Sequence, residues 1–145
     1  MKNEIFDNML SRYDLTTEQH KRNAIFEVNQ QMILAGLYAG GFFESAAFYG
    51  GTCLRIFHGL QRFSEDMDFS LLAQDDKFDF TKYFPAVIDA FAMVGREVEI
   101  KKKDKKNFGK VESAFLKDNT DVYDVTFQME KSIKIKIEVD TCPPL

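Results

Sequence analysis

Two acidic residues at alternate positions, Asp66-Met67-Asp68, sit in a stretch from Asp66 to Leu71 that alternates strictly between polar and apolar residues. That pattern suits a half-buried strand and not a helix, so Asp66, Asp68 and Ser70 share one face. Side chains at i and i+2 of a strand stand about 7 Å apart, close enough for two carboxylates to hold Mg²⁺ (or Mn²⁺) ions that also bridge phosphate oxygens. Ahead of them runs Ala47-Phe48-Tyr49-Gly50-Gly51-Thr52-Cys53-Leu54-Arg55. A glycine pair between a strand and a helix lets the backbone approach a ligand closely, and the helix start offers unpaired amides suited to phosphate. A third carboxylate is available from Glu138 or Asp140, which share a face of another alternating segment. Three carboxylates beside a phosphate cradle are what two-metal phosphoryl or nucleotidyl transfer requires.

Each piece has a plainer reading on its own. A Gly-Gly pair is usually a turn, and an Asp-x-Asp strand is usually a solvated face; their joint order, strand, Gly-Gly-Thr, helix, Asp-x-Asp strand, is what favours a site. Arg62 and Ser64 either contact phosphate or orient Asp66, with a surface pair between Arg62 and Glu65 or Asp66 as the alternative. Lys134 and Lys136 lie on the face of Glu138, where they meet a triphosphate or form a cross-strand charge ladder. His20 and His58 have no nucleophile partner and read as surface residues. Cys53 reads as a small buried side chain rather than a stabilised thiolate. Met9, Met32, Met67, Met93 and Met129 read as packing.

The elements that must position these groups follow from patterning. Thr16-Thr17-Glu18-Gln19 resembles a capping box, with Thr16 as the cap. The helix it opens carries Ile25, Val28, Met32, Ala35 and Tyr38 as one apolar stripe and stops at Gly40-Gly41. Ser45 to Tyr49 is a short buried strand, and a two-turn helix after the glycines turns Leu54, Phe57 and Leu60 inward. Thr81 to Val94 is a helix with Phe84, Val87, Ile88, Phe91 and Ala92 inward and Gly95 as its stop. Segments 97–101, 111–116, 122–129 and 133–139 alternate as strands, separated by turn signals at 107–109, 118–119 and 130–132.

The chain has 145 residues, 45% apolar and 29% charged, which suits one globular domain with a core of its own and no need of disulfides or metal. The two cysteines have no metal-ligand spacing, and no signal peptide or spanning segment is evident, so the expected compartment is the cytoplasm and no membrane partner is expected. A net charge of −4 argues against bulk electrostatic adhesion to nucleic acid. Any such contact is local, and the cluster Lys101, Lys102, Lys103, Lys105 and Lys106 is the one basic candidate. Fifteen phenylalanines and no tryptophan read as core filler rather than a stacking platform.

Phe48 to Arg55, Arg62 to Phe69, and Lys134 to Thr141 with Pro143-Pro144 together resemble the AbiEii/AbiGii toxin family over roughly residues 45–145. The resemblance implies an α+β, polymerase-beta-like nucleotidyltransferase fold, a mixed sheet flanked by helices. It implies a Mg²⁺-dependent bacterial toxin of a toxin-antitoxin or abortive-infection pair, with an NTP substrate, a tRNA acceptor and an antitoxin protein as partner. Matched by position, Gly50, Gly51 and Thr52 would meet the triphosphate with Arg62, Ser64 and Lys136 nearby, Asp66 and Asp68 would hold the metal, and Glu138 or Asp140 would supply the third acid. Family members continue into a helical region with a further lysine and an Arg-Asp-x-Tyr-Asp type motif, so residues 1–145 are expected to be a catalytic domain without that second lobe. The alternatives are a non-catalytic nucleotide-binding or antitoxin-binding module, and a phosphotransferase using the same site.

Overall fold

The computed structural model describes residues 4–59, 64–75, 77–103 and 120–142. Leu60, Arg62, Lys105, Lys106, the expected strand at 111–116, the turns at 107–109 and 118–119, and Pro143-Pro144 lie outside the described residues. A short helix α1 (Glu4–Leu10) precedes the long α2 (Glu18–Ala39). The cap of α2 is Thr17 rather than Thr16: its hydroxyl accepts from the His20 amide at 3.0 Å. Thr16 is engaged one residue earlier, donating its amide to Asp14. At the other end Gly40 keeps a right-handed conformation and Gly41, at φ +83°, makes the left-handed turn.

The single stripe expected on α2 is only partly present. Val28 and Met32 are buried, but Ala35 and Tyr38 are exposed, and the middle of the helix is covered on several sides, including Glu27, Asn29 and Gln30. The physical reason is that α2 is covered from several sides, by α1, by α4 (Phe84–Met93), by the 3-10 turn Phe42–Glu44 and by the backbone of residues 64–65, which Gln30 contacts. Two glycines one turn apart set the crossing with α4. A Cβ on Gly36 would lie 2.7 Å from Val87 Cα, and one on Gly40 would lie 2.9 Å from Ala86 Cβ. The helices therefore touch backbone to backbone.

The helix expected over 81–94 divides into a 3-10 turn, Phe80–Tyr83, capped by Asp79, and α4. Val87 and Phe91 point inward as expected, whereas Ile88 and Ala92 are exposed; Val94 takes the next inward place before Gly95 turns the chain at φ +72°. Phe42 is the hub of the aromatic core, edge-on to Phe69, Phe80 and Tyr83 at centroid separations of 5.3, 5.2 and 5.1 Å. Such pairs add stabilisation beyond area burial. Met32 and Met67 pack as expected, but Met93 and Met129 are exposed.

Five strands form one mixed sheet in the order β1 (Ala46–Tyr49), β2 (Met67–Leu71), β5 (Lys134–Asp140), β4 (Thr120–Phe127), β3 (Val98–Lys102). β2 and β5 are parallel and the other pairings antiparallel. Met67, Phe69, Leu71, Ile135, Ile137, Val139, Tyr123, Val125 and Phe127 face the helices and build the core. Period-two alternation then leaves Asp68, Ser70, Lys134, Lys136, Glu138 and Asp140 on the opposite face. Among the described residues no helix is long and apolar enough to cross a membrane.

Candidate active site

The glycine turn and the acidic strand meet through β1. Tyr49, the last residue of β1, lies opposite Asp68 of β2, and the chain turns at once into α3 (Gly50–His58). Gly50 makes this possible: its φ is +86°, and a Cβ there would lie 2.6 Å from Asp68 Oδ2. Only glycine lets the backbone pass that close to the carboxylate. A Cβ on Gly51 would be 3.3 Å from Ser64 Oγ, so the second glycine brings α3 up to the segment leading into β2. No side chain caps the first turn of α3. Its inward residues are Thr52 and, in part, Ile56; Leu54 and Phe57 are exposed, contrary to the expected inner face, because the helix turns its Thr52–Ile56 side to the core.

The parallel pairing of β2 with β5 assembles the acids. Asp68 stands opposite Glu138, and Ser70 opposite Asp140. The Asp68 and Glu138 side chains thus lie side by side across the pairing, two acids in direct interaction. The Asp68 carboxyl is pushed up to about 7, first by burial, then by that interaction and by the negative charges of Glu138 and Asp66, against a smaller opposing pull from Lys136. Asp66 is also raised, by partial burial first and then by Glu138, Glu65 and Asp124, with Lys136 again opposing. Tyr49 is raised by burial and by Asp68, Asp140 and Glu138. Two or three carboxylates answered mainly by one lysine form a site of surplus negative charge. Among the described residues, no three acidic, histidine or cysteine side chains already converge as a metal cage.

A match to the Nucleotidyl transferase AbiEii toxin, Type IV TA system family covers residues 32–145. The chain belongs to the AbiEii nucleotidyltransferase toxin family. Its fold is that of solved nucleotidyltransferase toxins: the MenT4 nucleotidyltransferase toxin of Mycobacterium tuberculosis H37Rv superposes with TM-score 0.55 at 23% identity, over 94% of this chain and 44% of that one. JHP933 of Helicobacter pylori superposes with TM-score 0.53 at 20% identity, over 88% and 47%. This AbiEii chain thus spans less than half the length of either solved structure. No curated protein sequence matches it.

Within this AbiEii chain, Gly50, Gly51, Ser64, Asp66, Asp68, Lys136 and Glu138 come together, whereas Arg62 lies outside the described residues. Asp140 stands opposite Ser70 on the same face and also acts on Tyr49, while its Oδ1 accepts from the Cys142 amide at 3.0 Å at the end of β5. The Thr52 side chain is engaged within the protein. It is 2% exposed, and its hydroxyl donates to the carbonyls of Ser64 and Asp66 rather than toward an open surface. Lys134 joins a cross-strand pair with Asp124 at 4.0 Å. Lys101 and Lys102 of the basic run pair with Glu99 and Asp121 at 3.3 and 3.7 Å. Both cysteines are free, and burial pushes the Cys53 thiol up, which fits packing and not a reactive thiolate.

Three residues escaped the sequence reading. Tyr49 faces the acids, as its place at a strand end before the glycines allowed. Asp124 stands opposite Lys136 on β4 and adds to the charge felt by Asp66; the alternation of β4 carries that signal, but its register does not appear in the sequence. Gln30 is buried and donates to the carbonyls of Ser64 and Glu65 at 3.0 and 2.9 Å. Nothing in a helical heptad marks such a glutamine out.

Proposed function

We propose that this face is the nucleotide and metal site of a Mg²⁺-dependent (or Mn²⁺-dependent) nucleotidyltransferase that transfers a nucleotide from an NTP to an acceptor hydroxyl, with tRNA as the acceptor class. The observation that carries the reading is the β2–β5 register, which sets Asp68 against Glu138 beneath a glycine turn that only glycine can make. The donor set fits a divalent cation: a carboxyl pair retaining a proton near neutrality is a pair that a cation would relieve, and Mg²⁺ is ordinarily held by one or two carboxylates plus substrate phosphates and water. Asp66, Asp68 and Glu138 would hold it. When bound, such a cation supplies charge stabilisation to the phosphates and to the leaving pyrophosphate.

The chain's own groups do the rest. Backbone amides of the Gly50-Gly51-Thr52 turn meet the triphosphate, with Lys136, Ser64 and Arg62 beside it. The acceptor oxygen bonds to the α-phosphorus as the bond to pyrophosphate breaks, and the hydroxyl proton passes to a carboxylate, Glu138 by its place beside Asp68, with Asp140 as the further acid. An antitoxin protein is the proposed regulatory partner, as the family description suggests. The test is incubation with each labelled NTP and total tRNA, with Asp68→Asn as control. Metal-dependent labelling of RNA that the variant loses supports the reading. Metal-dependent NTP binding without transfer to any RNA would make this chain a binding module, and labelling retained by Asp68→Asn would displace the site.

A further inference from the structure

The three residues leading into β2 have carbonyls with no strand to take them, because pairing of β2 with β5 begins at Met67 opposite Ile137. Where such carbonyls are shielded from water they must find partners in the protein. Two buried side chains supply them. Gln30 of α2, 1% exposed, donates from one nitrogen to Ser64 O and Glu65 O at 3.0 and 2.9 Å. Thr52 of α3, 2% exposed, shares its hydroxyl proton between Ser64 O at 3.2 Å and Asp66 O. Three consecutive carbonyls are thus held by two helices. One turn before Gln30, Glu27 accepts from Arg55 Nε at 2.8 Å, tying α2 to α3 so that both anchors move together. Arg22 adds an outer tie to Glu65 at 2.7 Å.

Asp66 is the one member of the acid set outside the strand ladder, so its position rests on this clamp and not on sheet pairing. Thr52 belongs to the same turn as Gly50 and Gly51, and its bond to Asp66 O fixes the distance between the glycine turn and the acid. Gln30 precedes the span matched by the family, which begins at residue 32. We propose that the side chains of Gln30 and Thr52 are positioning groups, which set Asp66 against the Gly50-Gly51 turn and so determine how tightly the site binds metal and nucleotide without those side chains touching either. This rests on the proposed function of the acid face.

The test is titration calorimetry of the 145-residue protein with each NTP over a Mg²⁺ series, at a temperature where circular dichroism shows every variant folded. Thr52→Val and Gln30→Met keep volume and remove the donor. They are expected to raise the Mg²⁺ concentration for half-maximal NTP binding by about 10- to 100-fold, as loss of groups that orient metal ligands does elsewhere. Thr52→Ser, which keeps the hydroxyl, is expected to bind as wild type. Val87→Ala, a core truncation away from the site, is expected to lower the melting temperature and leave the Mg²⁺ midpoint alone. Should either donor-free variant fail to fold, Gln30→Asn, with a shortened donor, must still move the midpoint upward. Wild-type midpoints in the donor-free variants, or an equal shift in Val87→Ala, overturn the positioning role alone. A wild-type protein that binds no Mg²⁺–NTP, or an Asp68→Asn variant that binds as well as wild type, overturns the reading of the acid face and this inference with it.

Discussion

Replacing Asp68 with asparagine should stabilise the protein in the absence of metal wherever the pH lies above the value of a free aspartate, where the unfolded chain has given up a proton that the fold still holds. Asp68 titrates near 7 in the fold against 3.8 for a free aspartate. A raised carboxyl is harmless below its unfolded value, where both states are protonated; the cost accumulates as pH rises from about 4 to about 7 and is constant above that. At about 1.4 kcal/mol per tenfold change in proton affinity the ceiling is about 4 kcal/mol. Asp68 is only half-buried, and solvent and side-chain movement relieve part of the repulsion, so about 2 kcal/mol is expected at pH 8 and well under half of that at pH 5. In a domain of this size 1 kcal/mol moves the melting temperature by about 3 °C. Differential scanning calorimetry in EDTA should therefore find Asp68→Asn melting about 6 °C above wild type at pH 8 and about 2 °C above it at pH 5. With Mg²⁺ and NTP at pH 8 the order should invert, since only the wild-type site gains from the ligand. A variant that melts lower than wild type at pH 8, or that shifts equally at both pH values, would refute the picture of a strained carboxyl pair.

Other substitutions probe the scaffold around that pair. Gly50→Ala must adopt a φ of +86° and push a methyl toward Asp68 Oδ2, so a loss of about 1–3 kcal/mol in urea unfolding is expected together with loss of NTP-dependent stabilisation. Gly36→Ala puts its methyl against Val87 Cα and should cost about 2 kcal/mol with an unchanged denaturant slope, while leaving NTP affinity of the folded protein intact. Arg55→Met leaves the Glu27 carboxylate, only 8% exposed, without its 2.8 Å partner, an expected loss of about 3 kcal/mol that a second change, Glu27→Gln, should largely restore. Glu138→Gln should abolish the Mg²⁺ dependence of NTP-induced thermal stabilisation, because Glu138 is the residue that β5 sets opposite Asp68.

Those outcomes also measure how much of the site the amino-acid order discloses. The faces were legible: Asp66, Asp68 and Ser70 alternate with Met67, Phe69 and Leu71, and that pattern survives folding because a strand has no other way to bury three large side chains. The glycine turn was legible for a similar reason, since few conformations suit two glycines between a strand and a helix. Register was not. Nothing between residues 68 and 138 says that Glu138, rather than Asp140, will stand opposite Asp68; that choice is made by the parallel β2–β5 pairing, in which burying Met67 against Ile137 and Phe69 against Val139 fixes the alignment. Which carboxylate stands opposite Asp68 is thus decided on the apolar face of the sheet, on the far side from the acids themselves.

The misread helices follow from the same asymmetry between pattern and partner. An apolar stripe is drawn as though a helix had one neighbour, and α2 has several, so Gln30 and Glu27, off the stripe, are buried while Tyr38, placed on it, is exposed. Buried polar residues in that helix are exceptions to hydrophobic patterning, and each has to be accounted for by a partner. Glu27 has Arg55, and Gln30 has the carbonyls that no strand could take. Asn29 is different: it is fully buried with neither its side-chain oxygen nor its nitrogen partnered among the described residues. On energetic grounds Asn29→Leu should then be neutral or stabilising in calorimetry, as removal of unsatisfied buried groups generally is when the replacement fits. Gln30→Leu, of similar size change one residue along, should be destabilising by about 1–3 kcal/mol because Glu65 O loses its donor and Ser64 O keeps only the Thr52 hydroxyl. If the two substitutions had the same effect, the distinction between a polar residue that clamps the site and one that merely occupies the helix interior would have no thermodynamic content.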